Sequence, residues 1–294
     1  MRPLDLLLYA GVCLIWALNL IISRYLFAEF GVPPIFYAAA RFLVVAIVLF
    51  RVFRPLPRPL APILLIGFLM GTIHFGLMFL GLANAPSSTV SIVLQMAIPS
   101  TAVLSVLLLG ERIGVTRGVG IALALGGVVF VMWNGEGIGL SIGLLYALVS
   151  AVAVALASVL LKRQTGIKPL TMQGWTALVS FPPLIAYSLI AEGRPIETSL
   201  AIGWPFLAGL AFSVVLVTLM ATTLYLGLLQ RYPASIIAPL GLMMPLMAVA
   251  MGVVLLGEPF DLRMAVGAAV ALLGLLLVLR KQPPRDAEQP QEMT

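Results

Sequence analysis

The stretch LLLGERIGVTRG, residues 107 to 118, returns later in the chain as a close variant, LLGEPFDLRMA, residues 255 to 265. Both stretches follow a long apolar run, and both lead into another one. Their Gly-Glu pairs, Gly110-Glu111 and Gly257-Glu258, lie 147 positions apart in a chain of 294 residues. This spacing predicts that the chain contains one structural unit twice.

The composition of the chain is that of a membrane protein. Hydrophobic residues make up 62% of it and charged residues 10%, and its mean hydropathy is +1.14. Soluble domains are roughly 45–50% apolar and 25% charged, so lipid is expected to be the solvent for most of this chain. The 17 Lys and Arg do not form runs interleaved with aromatics, so we expect a lipid bilayer and no nucleic acid as partner. The single cysteine, Cys13, leaves no disulfide framework or multi-cysteine metal site, and no cofactor or metal is predicted.

Apolar runs of about 20 residues predict membrane-spanning helices. The chain has ten such runs, joined by short links that contain Gly and Pro, so any function must lie within the helix bundle. The predicted spans are residues 4–27, 34–53, 60–82, 87–109, 115–133, 139–161, 170–191, 201–229, 234–256 and 262–280.

Lys and Arg residues between the spans predict the orientation of the chain. Thirteen of them fall on one side of the membrane and two, Arg194 and Arg263, on the other. Positive charge is enriched in cytoplasmic loops, so both termini are expected in the cytoplasm. The polar, proline-rich segment 282–294 is expected to be a disordered cytoplasmic tail.

Prolines and glycines align the two halves at nearly the same offset as the Gly-Glu pairs. Pro86 aligns with Pro233 and Gly81 with Gly227, which divides the chain into five-helix repeats over residues 1–135 and 136–281. Because five is odd, the second repeat must enter the membrane from the opposite face. Inverted repeats are common in secondary transporters, where two half-equivalent bundles rock around a central site. Gene duplication in a helical bundle of another purpose is the alternative.

Three short motifs resemble a known family. They are Trp16-Ala17-Leu18-Asn19, Arg41-Phe42, and a proline about a dozen residues before each Leu-Gly-Glu. In this order they resemble the ten-helix EamA-type branch of the drug/metabolite transporter superfamily, and most of all the bacterial YddG-type exporters of aromatic and other neutral amino acids. The resemblance covers essentially the whole chain. It implies an all-α integral membrane protein with a basket-shaped bundle around a central cavity, which exports its substrate across the bacterial inner membrane.

Polar side chains inside a membrane usually face a cavity or one another, which makes them the natural candidates for a substrate site. A substrate carboxylate would find its counter-charge at Arg41 or His74, and an aromatic ring would lie against Trp16 or Trp175. Structural hydrogen bonding and ordinary helix packing are the alternatives for each of these residues, and Arg24 is expected to snorkel to the interface. The candidate substrate-binding residues are Trp16, Asn19, Tyr37, Arg41, His74, Met78, Ser91, Gln95, Tyr146, Trp175 and Tyr225.

Prolines inside helices mark places where a helix bends or exposes backbone groups. Pro99 and Pro245 occupy related positions in the two repeats and are the candidate gating residues. Static kinking of the fourth and ninth helices is the alternative. Two complete repeats make a second subunit unnecessary for closing a cavity, so a monomer suffices.

The expected function is export of a small zwitterionic metabolite by alternating access. A proton pump commonly carries its proton on a buried acid, and no Asp or Glu is expected at the depth of His74, so facilitated diffusion is favoured over histidine-linked proton antiport. A proton-coupled exporter of drugs or organic cations is the closest rival, although it too would usually need a buried acid. A membrane-embedded enzyme is the rival from another class, and the chain has no HExxH motif.

Overall fold

The computed structural model describes residues 2–54, 58–110, 114–133, 141–164, 167–232, 237 and 240–279, apart from the side chains of residues 229 and 230. Glu111, Pro233 and the tail at 282–294 lie outside these ranges. Helices form the regular structure of the described residues, as the apolar runs predict. In a bilayer a helix satisfies its own backbone hydrogen bonds, which lipid cannot do.

Within the described ranges, ten apolar helices make up the bundle, in agreement with the ten predicted spans. Eight of them are long and apolar enough to cross a membrane, and two, Pro34–Val48 and Met243–Leu256, are shorter. A 3₁₀ turn, Phe50–Phe53, follows the second helix, and a short helix, Pro195–Ile202, precedes the eighth. The helices are α1 Pro3–Ala28, α2 Pro34–Val48, α3 Leu60–Asn84, α4 Ser87–Leu109, α5 Val115–Met132, α6 Ile142–Lys162, α7 Pro169–Ala191, α8 with its segments Trp204–Ala211, Phe212–Ala221 and Thr222–Arg231, α9 Met243–Leu256, and α10 Leu262–Leu279.

Several predicted spans differ from the observed helices, and for two of them the backbone shows the reason. The span predicted at 34–53 ends as an α-helix at Val48, because the chain tightens there into the 3₁₀ turn. The span predicted at 201–229 begins only at Trp204, because Gly203 has a φ of 73° that ends the preceding short helix. Positive φ is accessible to Gly at little cost and breaks the helical path.

The glycines of the two Leu-Gly-Glu motifs end α4 and α9. Gly110 has a φ of 69° and Gly257 a φ of 63°, the left-handed conformation that closes many helices. After α9, the backbone N–H of Glu258 donates to the carbonyl of Gly252 at 3.1 Å, which pairs one of the last free carbonyls of the helix. The repeated motif is therefore a helix stop used in both repeats.

The packing of α5 against α10 shows how the repeats are related. A Cβ atom at Gly120 would lie 2.7 Å from the carbonyl oxygen of Gly274, and one at Gly267 would lie 2.9 Å from that of Gly127. Gly120 and Gly267 occupy equivalent positions in the two repeats, as do Gly127 and Gly274. Equivalent residues thus make reciprocal contacts, as a twofold axis requires, and the helices run antiparallel. Small residues permit this close approach.

Arg24 ties the C-terminal end of α1 to the C-terminal end of α3. Its Nη1 donates to the carbonyls of Leu82 and Ala83, both at 2.9 Å. These carbonyls belong to the last turn of α3, where the helix supplies no donors of its own. The expectation that Arg24 snorkels to the interface stays a prediction, and the structure shows which carbonyls its guanidinium reaches.

Candidate functional site

Arg41 is the centre of a buried polar cluster between α1, α2 and α8. Its side chain is 3% exposed, and its Nε and Nη2 donate to the hydroxyl of Thr218 at 3.2 and 2.9 Å. The guanidinium carbon lies 4.3 Å from the centre of the Phe75 ring, a cation–π distance. Nη1 is buried and has no partner among the described residues. Burying an unpaired charge is costly, so this geometry can bind an anionic group.

Buried oxygen atoms without hydrogen-bond partners lie on α1 and α8, the helices beside Arg41. Tyr37, one helical turn before Arg41, donates to the carbonyl of Gly209 at 2.7 Å, and the hydroxyls of Ser23 and Ser213 approach it. The Oγ atoms of both serines and Oδ1 of Asn19 are buried without partners in the described part of the chain. These acceptors can bind a cationic donor. The Arg41 cluster consists of Ser23, Tyr37, Arg41, Ser213 and Thr218, and we include Asn19 because it lies one helical turn before Ser23 on α1.

Wide turns in α3 and α8 place several residues of the site. Phe68–Phe75 and Phe212–Ala221 are π-helical, and the two segments begin at related positions of the two repeats. The hydroxyl of Thr218 donates to the carbonyl of Ser213, five residues earlier, at 2.9 Å. It thereby stays oriented to accept from Arg41. Such π segments occur often at functional sites.

His74 lies beside the Arg41 cluster on the wide turn of α3. Its Nδ1 is 2.8 Å from the hydroxyl of Ser150 on α6, and this hydroxyl donates to the carbonyl of His74 at 2.9 Å. Because the serine proton is used in that bond, Nδ1 carries the hydrogen and donates to Ser150. The His74 ring also packs on Phe75, with ring centres 5.0 Å apart. His74 thus joins α3 to α6 and packs against the Phe75 ring, which the Arg41 guanidinium contacts.

Aromatic side chains extend the site toward the N-terminal end of α1 and the C-terminal end of α8. Trp16 and Tyr225 meet edge to face with centres 5.1 Å apart, and Tyr9 lies 6.2 Å from Tyr225. Trp16 precedes Asn19 by three residues and so shares its helix face. Trp16 and Tyr225 are only half-buried. They form an apolar wall next to the polar cluster.

The structure brings together six of the predicted site residues and places the others elsewhere. Ser91 donates to the carbonyl of Ser88 in its own helix at 2.7 Å. Trp175 packs on Phe53 in a separate cluster near the start of α7, with ring centres 5.5 Å apart. Tyr146 is half-buried on α6, Met78 belongs to the main core, and Gln95 lines a groove with α9 and α10. The six are Trp16, Asn19, Tyr37, Arg41, His74 and Tyr225.

Sequence reasoning missed Phe75 and Ser213 as site residues. Phe75 is one of 14 phenylalanines, and nothing in the local pattern distinguishes it. Ser213 shares the site with Thr218 only because the π-helical turn puts five residues between bonded groups. A search at the ordinary spacing of three and four residues does not pair these positions.

The two candidate gating prolines each follow a break in a helix. In α4 the chain turns at Gln95 and Met96, whose N–H groups donate three residues back, and Pro99 lies in the next turn. In α9 the equivalent turn precedes Met243, with Met244 donating to Gly241 at 3.2 Å, and Pro245 follows. Proline lacks the N–H that would rejoin the helix across the break. A break within α4 and a turn directly before α9 therefore lie at related positions of the two repeats.

Comparison with known proteins identifies relatives along the whole chain. The sequence matches the EamA-like transporter family over residues 4–133 and again over 141–280. A probable amino-acid metabolite efflux pump of Salmonella typhimurium is 29% identical over 277 residues, which cover 90% of this chain and 91% of the relative. The uncharacterized transporter YvbV of Bacillus subtilis is 29% identical over 96% of this chain and 93% of its own. A solved crystal structure with a TM-score of 0.63 and 20% identity covers 95% of this chain and 98% of its own, which shows a shared fold.

Proposed function

The chain belongs to the EamA-like transporter family, and we propose that this multi-pass membrane transporter exports small zwitterionic metabolites, foremost aromatic and other neutral amino acids. The family and the efflux relatives indicate a transporter and not an enzyme. The observation that carries the substrate proposal is the buried Nη1 of Arg41, which has no partner among the described residues.

The substrate carboxylate binds at Arg41. Two of the guanidinium nitrogens are already held by Thr218, which fixes the plane of the group and leaves Nη1 free to donate. A charge-assisted hydrogen bond of this kind contributes about 1.5–3 kcal/mol. Because the site is desolvated and cationic, an organic cation would be repelled from it, which disfavours the drug-exporter alternative.

The substrate ammonium binds at the oxygen atoms of α1. Oδ1 of Asn19 and Oγ of Ser23 are buried acceptors without donors, and they are separated from each other by one helical turn. Trp16, on the same face, offers an aromatic surface for the side chain and for cation–π contact with the ammonium. Unpaired donors on α2 and unpaired acceptors on α1 together match a zwitterion.

Transport proceeds by alternating access without an ion gradient. Asp5 is the only acidic residue in the described parts of the ten helices, and its carboxylate already accepts from Tyr232 at 2.6 Å. A carboxylate available to carry a proton next to the Arg41 cluster is therefore not found in the described spans. The distribution of Lys and Arg supports a location in the bacterial inner membrane with both termini in the cytoplasm. Two complete repeats support function as a monomer.

Flux of radiolabelled phenylalanine in proteoliposomes that contain the purified protein tests this function. We expect saturable flux that neutral amino acids inhibit and a cationic dye does not. An imposed proton gradient should not drive phenylalanine against its concentration gradient. Dye transport that depends on the gradient, with no phenylalanine flux, would mean that the protein is a drug exporter. Empty liposomes and liposomes with a heat-denatured sample provide the background.

A further inference from the structure

A groove of about 440 Å³ opens toward lipid between α9 and α10, and α4 forms its floor. Its rim includes Val254 and Leu246, which are 79% and 54% exposed, so the groove faces the bilayer and not the centre of the bundle. Its walls are almost entirely apolar. Besides Pro245, they include Val249, Ala268 and Leu272.

Gln95 is the single polar side chain among the residues that line this groove. Its amide has no hydrogen-bond partner in the described part of the chain, although lipid cannot satisfy it. Leaving an amide unpaired in an apolar medium is costly, because the surroundings offer no hydrogen bond in place of the one that water would make. An occupant that offers one hydrogen-bonding group would remove this cost.

The depth of Gln95 excludes the polar head of a phospholipid as its partner. Gln95 lies eight residues from Ser87 at the start of α4, which corresponds to about 12 Å at 1.5 Å per residue. The hydrocarbon core is about 30 Å thick, so the amide lies near its centre. An acyl chain would fill the groove there but would leave the amide unpaired.

We propose that this groove is a second binding site, which takes an uncharged and largely apolar molecule with one hydrogen-bonding group from the bilayer. The lining contains no charged residue, so neither a zwitterion nor an organic cation would bind in it. Its volume falls within the roughly 300–1,000 Å³ of small-molecule pockets. The site is separate from the Arg41 cluster, and its test does not depend on amino-acid flux.

Photo-crosslinking with benzophenone tests the proposal directly. Benzophenone is uncharged, consists of two phenyl rings and one carbonyl, and inserts into nearby C–H bonds under ultraviolet light. With the full chain in lipid nanodiscs, we expect crosslinks on peptides of α9 and α10 around Val249 and Ala268. Gln95→Leu keeps the approximate size of the side chain and should lower labelling about three- to tenfold. Loss of one neutral hydrogen bond has an effect of this size.

Two matched variants on α10 separate specific binding from partition into lipid. Ala268→Phe fills the groove and should abolish the crosslinks, whereas Leu273→Phe changes a side chain that is 58% exposed outside the groove and should leave them unchanged. Equal labelling of both variants would overturn the proposal. If excess hexadecane prevents the labelling and Gln95→Leu leaves it unaltered, the occupant is an acyl chain. That result would also overturn the proposal.

Discussion

The carboxylate of Glu258 holds Ser87 at the start of α4 in the opposite repeat. Its Oε1 accepts from the backbone N–H of Ser87 at 2.6 Å and from the Ser87 hydroxyl at 2.8 Å, and Oε2 accepts from the N–H of Ser88 at 2.8 Å. These N–H groups are among the four that a helix cannot pair itself, and the helix dipole favours an anion there. The second Leu-Gly-Glu therefore ends α9 and also caps α4.

Replacing this cap should destabilise the bundle. Glu258→Gln keeps one acceptor oxygen and removes the charge, and charge-assisted hydrogen bonds contribute about 1.5–3 kcal/mol. We expect the Tm of the detergent-solubilised protein to fall by on the order of 5 °C. Glu197→Gln, at an exposed ion pair with Arg194, is the matched control and should leave the Tm unchanged. Equal Tm values for both variants would contradict a structural role for Glu258.

The same substitution at two adjacent glycines of α5 should disrupt the packing at one and leave it unchanged at the other. A Cβ atom at Gly127 would lie 2.6 Å from the carbonyl oxygen of Gly267, which is backbone and cannot move aside, whereas one at Gly126 would meet no atom within 4 Å. Gly127→Val should prevent close packing of α5 on α10 and abolish the monodisperse peak in size-exclusion chromatography. Gly126→Val should elute as the unmodified protein does. The packing described for α5 and α10 is incorrect if Gly127→Val behaves normally.

The helix breaks before Pro99 and Pro245 should be needed for conformational exchange. Alanine at either position restores an N–H that can donate across the break and extend the helix. We expect each variant to slow phenylalanine flux several-fold with little change in KM, since the Arg41 cluster is untouched. Pro62→Ala, in the first turn of the unbroken start of α3, is the control. Unaltered flux in both variants would show that the breaks are static.

Asp5 and Tyr232 should keep the N-terminal end of α1 closed against the C-terminal end of α8. The Tyr232 hydroxyl donates to Asp5 at 2.6 Å, and Arg231 lies 3.8 Å from the same carboxylate. Cys13, the single cysteine, is buried two turns further along α1. Tyr232→Phe removes the hydrogen bond and should raise the rate of Cys13 labelling by a maleimide about tenfold. Identical rates in Tyr232→Phe and the unmodified protein would exclude this contact as a closure.

Periodicity and composition were sufficient to predict the ten helices and the two repeats, because lipid forces every backbone group into a helix. Arg41, His74 and Trp16 could be selected because arginine, histidine and tryptophan inside a span are rare enough to stand out. Phe75 could not be selected, since its role depends on the rotation that a π-helical segment imposes on α3. The separation of Gln95 and Trp175 from the Arg41 cluster depends on helix packing, which no local pattern encodes.

Competition against phenylalanine flux by two half-substrates tests the central claim, that Arg41 binds the substrate carboxylate. Phenylpropionate keeps the carboxylate and phenethylamine keeps the ammonium. In the unmodified protein we expect phenylpropionate to compete and phenethylamine to compete weakly. In Arg41→Gln, with expression and Tm checked, the inhibition constant of phenylpropionate should rise at least about tenfold. Loss of one charge-assisted hydrogen bond has an effect of this size. Unchanged competition by phenylpropionate in a folded Arg41→Gln variant would contradict the proposed site.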